Sequence, residues 1–289
     1  MRAVNIEPIA ALGYNDAIEA IINLALSEDI GRGDITSEST VPIENQGKAV
    51  ILQKAPGVLC GLPVVEAVFA ILDPRVKVEA LAEEGSWGDR REVARLTGPA
   101  RALLTGERTA LNFLQRLSGV ATMSHRAKEA VKGTKATVLD TRKTTPGHRA
   151  LEKYAVRVGG SHNHRAGLDD AVLIKDNHIR AAGGITAAVE GARKRVGPAQ
   201  KIEVEVTNRA ELDEALATGA EIIMLDNHTT EAMADAVKYV DGRVKLEASG
   251  GITLANLREV AETGVDYISL GALTHSAGSL DFSLEIVLD

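Results

Sequence analysis

From about residue 135 onward, short apolar runs alternate with longer segments of helical character. No other feature constrains the fold as much. The runs are Thr137–Leu139, Ala171–Ile174, Ile202–Val206, Glu221–Leu225, Val244–Leu246 and Tyr267–Leu270. They recur every roughly 20 to 35 residues, the length of a strand, a helix and two loops. Parallel neighbours need such crossovers, so the expectation is a parallel sheet covered by helices. Six runs favour an incomplete, six- to seven-stranded β/α barrel over a regular eight-fold one, with an open doubly wound sheet as the alternative. Two runs lead into the same tripeptide, Asp176-Asn177-His178 and Asp226-Asn227-His228, as equivalent positions of a repeated frame would.

The first 130 residues read differently. Asn15 is placed to cap a helix whose apolar stripe is Ile18, Ile21, Ile22, Ala25 and Leu26. Ser27–Thr40 is polar and Gly-punctuated, and is expected to be a loop. Ala49–Leu52, Gly57–Cys60, Val76–Ala80 and Val93–Leu96 read as strands of a small, mainly antiparallel sheet with a helix across it. Pro99 suits the first turn of a helix to about Leu117, striped with Leu103, Leu104, Ala110, Leu111, Leu114 and Leu117. Arg108 falls inside that stripe, where a charge needs a partner or a ligand unless it snorkels past. Leu280–Leu288 alternates and reads as a strand or strap returning to this first region.

Composition narrows the function. Aromatics are only 3% of the chain, so Val, Ile, Leu and Ala must fill the core, as they do in parallel sheets. The net charge of −7 argues against a nucleic-acid binder and makes any local cluster of cations informative. One cysteine, Cys60, excludes an intrachain disulfide, and no stretch approaches the length of a membrane span. With no leader-like pattern in the first residues, a cytoplasmic location is expected.

Nearly every strand of the second half ends in reactive side chains, where α/β folds bind their ligands. Arg142, Lys143, Arg165 and Lys175, with His164 alongside, call for an anion or several. Ion pairs with Glu203, Glu205, Asp176 and Asp226 would use up some of them. Glu203 and Glu205 share one strand face. Glu205 and Asp226, on adjacent strand ends beside a polyanion, suit Mg²⁺ or sugar hydroxyls. A paired-carboxylate glycosidase would be odd amid so much positive charge. Ser249-Gly250-Gly251 and Gly271-Ala272 follow the last two strands, where barrels often seat a phosphate. No P-loop, dinucleotide fingerprint or zinc spacing is present.

Asp140-Thr141-Arg142-Lys143-Thr144-Thr145-Pro146-Gly147, Glu152-Lys153-Tyr154, Asn163-His164-Arg165 and Lys175-Asp176-Asn177-His178 resemble the quinolinate phosphoribosyltransferase family. The resemblance begins at Glu28-Asp29-Ile30-Gly31, passes Gly106-Glu107-Arg108 and ends near Gly271-Ala272-Leu273-Thr274-His275. It implies an N-terminal α/β sandwich domain, residues 1–116 with 276–289 returning to it, and an incomplete β/α barrel, residues 117–275. The implied reaction joins quinolinate to 5-phosphoribosyl-1-diphosphate, with Mg²⁺, giving nicotinate mononucleotide, CO₂ and pyrophosphate. The implied unit is a homodimer with shared active sites, further assembly left open, in which Arg108 serves the partner's site.

By the same resemblance Arg108, Arg142, His164, Arg165 and Lys175 would bind quinolinate. Thr141 and Lys143 would face the diphosphate or the ring. Glu205 and Asp226 would hold the ribose and Mg²⁺. Ser249, Gly250, Gly251, Leu270, Gly271 and Ala272 would seat the 5′-phosphate. His148 and Ser161-His162 depart from the expected pattern without removing any of these. A non-catalytic anion sensor and a different sugar-phosphate enzyme are the rival readings.

Overall fold

The computed structural model describes residues 15–197 and 199–287. Its strands in chain order are β1 (Gln46–Gln53), β2 (Gly57–Val58), β3 (Lys77–Ala80), β4 (Trp87–Gly88), β5 (Arg91–Pro99), β6 (Thr137–Leu139), β7 (Val172–Ile174), β8 (Ile202–Val206), β9 (Ile222–Asp226), β10 (Lys245–Ser249), β11 (Tyr267–Ser269) and β12 (Phe282–Val287). The chain forms two compact units. The first gathers the described residues up to His125, Thr144–Gly160 and those from Leu273 on; the second is Arg126–Lys143 with Ser161–Ala272.

In the first unit β12, β1, β5 and β3 form an antiparallel sheet in that order. Strand β1 alternates between exposed and buried residues, placing Ala49, Ile51 and Gln53 inside. Ile18, Ile22 and Leu26, one turn apart on helix Asn15–Ile30, are buried. The Asn15 side chain and Leu288 lie outside the described residues. Three expectations change. Gly57-Val58 leaves the main sheet and pairs with β4, because the buried Gln53 amide donates to the carbonyls of Ala55, Gly57 and Gly88. The segment expected as a loop is mostly helical: the first helix runs to Ile30, and Asp34 caps a second, Ile35–Thr40, by accepting from the Ser37 N–H. The helix after Pro99 runs on to Ala130, since Val120, Ala121 and Ala127 extend its buried stripe beyond Leu117.

Glu152 is fully buried in this unit and is neutralised by Arg116, 2.6 Å away. The same guanidinium donates to the carbonyls of Thr274 and Ala277, and Glu152 accepts from the Thr145 N–H and hydroxyl. The pairing satisfies both charges with hydrogen bonds, which a buried ion pair requires.

The second unit is a parallel sheet in the order β6-β11-β10-β9-β8-β7. The first and second strands of the unit stand at opposite edges, and all other neighbours follow a cyclic order. This is a barrel with one gap. Across that gap the only strand-like link among the described residues is an isolated bridge between Leu139 and His162. The fold class is therefore the one expected: α/β, with a separate N-terminal sheet unit and an incomplete barrel.

Strand register decides what faces inward. One face of β8, β9 and β10 carries Val204, Val206, Ile223, Leu225, Leu246 and Ala248, all buried. The other carries Glu203, Glu205, Met224, Asp226, Glu247 and Ser249, which the parallel register sets side by side. An apolar outer face and a polar inner face reverse the usual packed barrel interior, and mark the inside as the place of chemistry.

Candidate active site

A cavity of about 350 Å³ opens in the second unit, within the size range of small-ligand sites. Fourteen of the described residues line it. Arg142, Lys143, Arg165 and Lys175 supply four cations, and Thr141 and His164 stand among them. Asp226, Asn227, Ser249, Gly250, Gly251 and Ser269 supply polar groups at the ends of β9, β10 and β11. Leu173 and Met224 complete the wall.

The cations are held by local structure. Asp140, fully buried at the end of β6, accepts from the His164 N–H at 2.8 Å and from the Asn163 amide at 2.6 Å. It thereby folds the Asn163-His164-Arg165 segment against Arg142 and Lys143. Arg165 donates one guanidinium N–H to the Ala171 carbonyl, while its Nε is buried with no partner among the described residues. Burial first, and the neighbouring Arg142 guanidinium second, pull the Arg165 pKa below its ordinary value. Two crowded guanidiniums and an unmet buried donor are costs that a bound anion removes. Lys175 reaches Glu205, with Nζ 2.7 Å from Oε2.

The glycines answer a close approach. Asn227 adopts φ +54° and donates its N–H to the Ser249 carbonyl at 2.8 Å. Gly250 has φ +93°, and a Cβ there would collide with the Asn227 side chain. The β9 and β10 ends are thus locked together in a turn that a side chain at 250 would break.

Beneath the cavity lies a second cluster. Glu203, Glu247 and Ser269 are buried, and the Ser269 hydroxyl donates to Glu247. His164 Nε2 is 3.0 Å from Glu203 Oε2 and 3.7 Å from Glu247 Oε1. Burial, then the Glu203 charge, push the Glu247 carboxyl up to about 7.

The structure brings together ten of the residues singled out in the sequence: Thr141, Arg142, Lys143, His164, Arg165, Lys175, Asp226, Ser249, Gly250 and Gly251. Glu205 joins them through Lys175. Leu270, Gly271 and Ala272 are not lining residues; Leu270 is buried and spends its N–H on the Leu139 carbonyl. Arg108 belongs to the first unit and is 59% exposed, with the Glu107 carboxylate 3.9 Å away. Sequence reasoning assigned no site role to Asn227, Ser269, Met224 and Leu173. The repeated Asp-Asn-His was the available signal for Asn227. Its two copies are not equivalent, however. Asp226 ends a strand, whereas Asp176 opens the helix Asp176–Ala182, where His178 Nδ1 accepts the Lys175 N–H.

Fold and cavity define a class: an incomplete-barrel α/β enzyme that grips a small, multiply charged anion at the C-terminal ends of its strands. Residues 34–118 and 120–285 match the family models "Quinolinate phosphoribosyl transferase, N-terminal domain" and "C-terminal domain". The chain belongs to the quinolinate phosphoribosyltransferase family. It is 48% identical to the probable nicotinate-nucleotide pyrophosphorylase [carboxylating] of Synechocystis sp., over 91% of this chain and 90% of that protein. The Bacillus subtilis protein of the same name is 46% identical, over 94% of each. The crystal structure of NadC from Streptococcus pyogenes matches with TM-score 0.90 at 41% identity, covering 94% of this chain and 97% of that one.

Proposed function

We propose that the protein transfers the phosphoribosyl group of 5-phosphoribosyl-1-diphosphate to quinolinate, releasing pyrophosphate and CO₂ and leaving nicotinate mononucleotide for NAD synthesis. The observation that carries this reading is the four cations on one cavity of about 350 Å³ in a chain of net charge −7. Both substrates are multiply anionic. Family membership over nearly the whole chain agrees.

In this reading Arg142, Arg165 and Lys175 hold the two carboxylates of quinolinate, with His164 in the same wall. Arg108 of a second copy completes that set in a homodimer. Lys143 and Thr141 face the diphosphate. The Ser249-Gly250-Gly251 turn offers backbone N–H groups to the 5′-phosphate, with Leu270, Gly271 and Ala272 behind it. Glu205 and Asp226 lie on the same face of adjacent strands and offer only oxygen, the donor set Mg²⁺ prefers. Bound there, Mg²⁺ would neutralise charge on the departing pyrophosphate.

The chemistry then needs positioning more than covalent catalysis. The pyridine nitrogen bonds to ribose C1 as the C1–O bond to pyrophosphate breaks. Cations on the leaving group stabilise its charge. When the adjacent carboxylate departs as CO₂, its electron pair stays on the ring carbon, where the neighbouring positive nitrogen stabilises it, and a proton then bonds to that carbon.

The test is product release from purified protein given Mg²⁺, phosphoribosyl diphosphate and either quinolinate or nicotinate. Pyrophosphate and CO₂ in equal amounts from quinolinate alone are expected. Pyrophosphate release from nicotinate, or none from either acid, overturns the reading.

A further inference from the structure

His164 lines the anion cavity, yet neither of its ring nitrogens is available to an anion. Nδ1 accepts the Arg165 backbone N–H at 2.8 Å, so Nδ1 carries no proton. The single proton of the neutral ring is therefore on Nε2, which donates to Glu203 Oε2 at 3.0 Å. Glu203 reaches the ring from β8, 39 residues along the chain. Glu247 stands behind the same nitrogen at 3.7 Å and is itself held by Ser269.

His164, Glu203 and Glu247 offer ligand atoms within 4.8 Å of one another, and one oxygen of each carboxylate is buried without a hydrogen bond among the described residues, which invites a metal reading. The Arg165 N–H argues against it. A metal on Nε2 would move the ring proton to Nδ1, where it would face another N–H instead of a lone pair.

We propose that Glu203, backed by Glu247, is a positioning residue for substrate capture: it fixes the His164 tautomer, and through Nδ1 the Arg165 backbone, so that the Arg165 guanidinium meets the substrate carboxylate. The order of contact is Glu203 to His164 to Arg165 to anion. Asp140 holds the same segment by its backbone, accepting the His164 N–H. Glu203 is thus an acid whose effect is to present a base's neighbour to an anion. The inference rests on the proposed function for the identity of the anion, but not for the state of the ring.

Two readouts test it. In protein labelled with ¹⁵N at histidine, the His164 imidazole, identified by its loss in His164→Asn, is expected as the Nε2–H tautomer in the wild type and in Glu203→Gln. Glutamine keeps an acceptor oxygen for that N–H. In Glu203→Leu the ring is expected to lose this single tautomer. Glu203→Leu should raise the KM for quinolinate by about tenfold, the loss of one charge-assisted contact, and that for phosphoribosyl diphosphate by less than about twofold. Glu203→Gln should recover most of the quinolinate affinity. A wild-type ring protonated on Nδ1 overturns the proposal. So does a Gln variant no better than Leu, or a loss shared equally by both substrates. If the Leu variant does not fold, the wild-type and Gln spectra and the Gln KM still decide. A wild type with the Nε2–H ring and no turnover of quinolinate would sink the proposed function and leave the tautomer assignment standing.

Discussion

Two side chains set the electrostatics of the cavity and its floor. Arg165 enters with a buried Nε, unpartnered among the described residues, and a second guanidinium close by. Arg165→Ala is expected to raise the KM for quinolinate by about 30- to 1,000-fold, the range for truncating one member of a buried charge pair, with a smaller change in kcat. Steady-state kinetics with each substrate varied in turn checks this. Below it, the Glu247 carboxyl titrates near 7 where its ordinary value is 4.5, because burial and Glu203 disfavour the charge. The folded chain therefore keeps a proton that the unfolded chain releases. Stability contributed by that proton is present below about 4.5, falls as pH rises to about 7, and is gone above it. Glutamine cannot ionise. Glu247→Gln should gain on the wild type by on the order of 1–3 kcal/mol between pH 5 and pH 8. Urea unfolding at the two pH values measures this, and a gain that shrinks with pH would refute the assignment.

At the scale of elements, close backbone approaches leave the least room for change. The helix Ala100–Ala130 is met at Gly119 by the Gly278 carbonyl, where a Cβ would overlap the oxygen. Both partners are backbone, so neither can yield by changing rotamer. Gly119→Ala is expected to cost about 3 kcal/mol or more, well beyond its small gain in helix propensity. The denaturation midpoint reads this directly; an unchanged midpoint would mean that the Gly278 segment moves away freely. In the second unit the period of two does the decisive sorting. A shift of one residue in β8 would turn Glu203 and Glu205 outward and bring Ile202, Val204 and Val206 to the cavity side. Register is therefore as much a condition of the site as any single side chain.

At the scale of the whole molecule, the position of Arg108 bears on assembly. Arg108 stands exposed on a helix whose apolar stripe it interrupts, and the cavity is lined wholly by residues of the second unit. If the partner's Arg108 completes each site, Arg108→Ala and Lys175→Ala proteins, each inactive, should regain activity on mixing. Random exchange puts half of the dimers in the mixed form, each with one intact site, so up to about a quarter of wild-type activity is expected. Activity that stays at the level of the separate variants, after subunit exchange has been demonstrated by mass, would show that Arg108 acts within its own chain. Among the described residues no helix is long and apolar enough to cross a membrane.

The six strands of the barrel were readable because a run of apolar residues and the polar group that ends it are written in consecutive positions. All six form within a residue or two of where the pattern places them, except β10, which continues past the expected Leu246 to Ser249. The gathering of Arg142, Lys143, Arg165 and Lys175 was readable too, since strand ends in a parallel sheet meet on one side whatever the order of the strands. The helical Ser27–Ile30 and Ile35–Thr40 were missed because Gly and polar residues signal a loop equally well, and a single cap at Asp34 decides the matter. What only the tertiary structure settled depends on residues far apart in the chain. Pairing alone shows that the barrel gap falls between β6 and β7. That Gly57 follows β4 instead of β5 depends on where one buried glutamine amide finds its carbonyls. That His164 spends both nitrogens inside the protein depends on Glu203, which only the closing of the sheet brings beneath it. Local pattern determines which segments are strands and what they carry to their ends. Hydrogen-bond satisfaction across long separations determines which of those side chains remain free for a ligand.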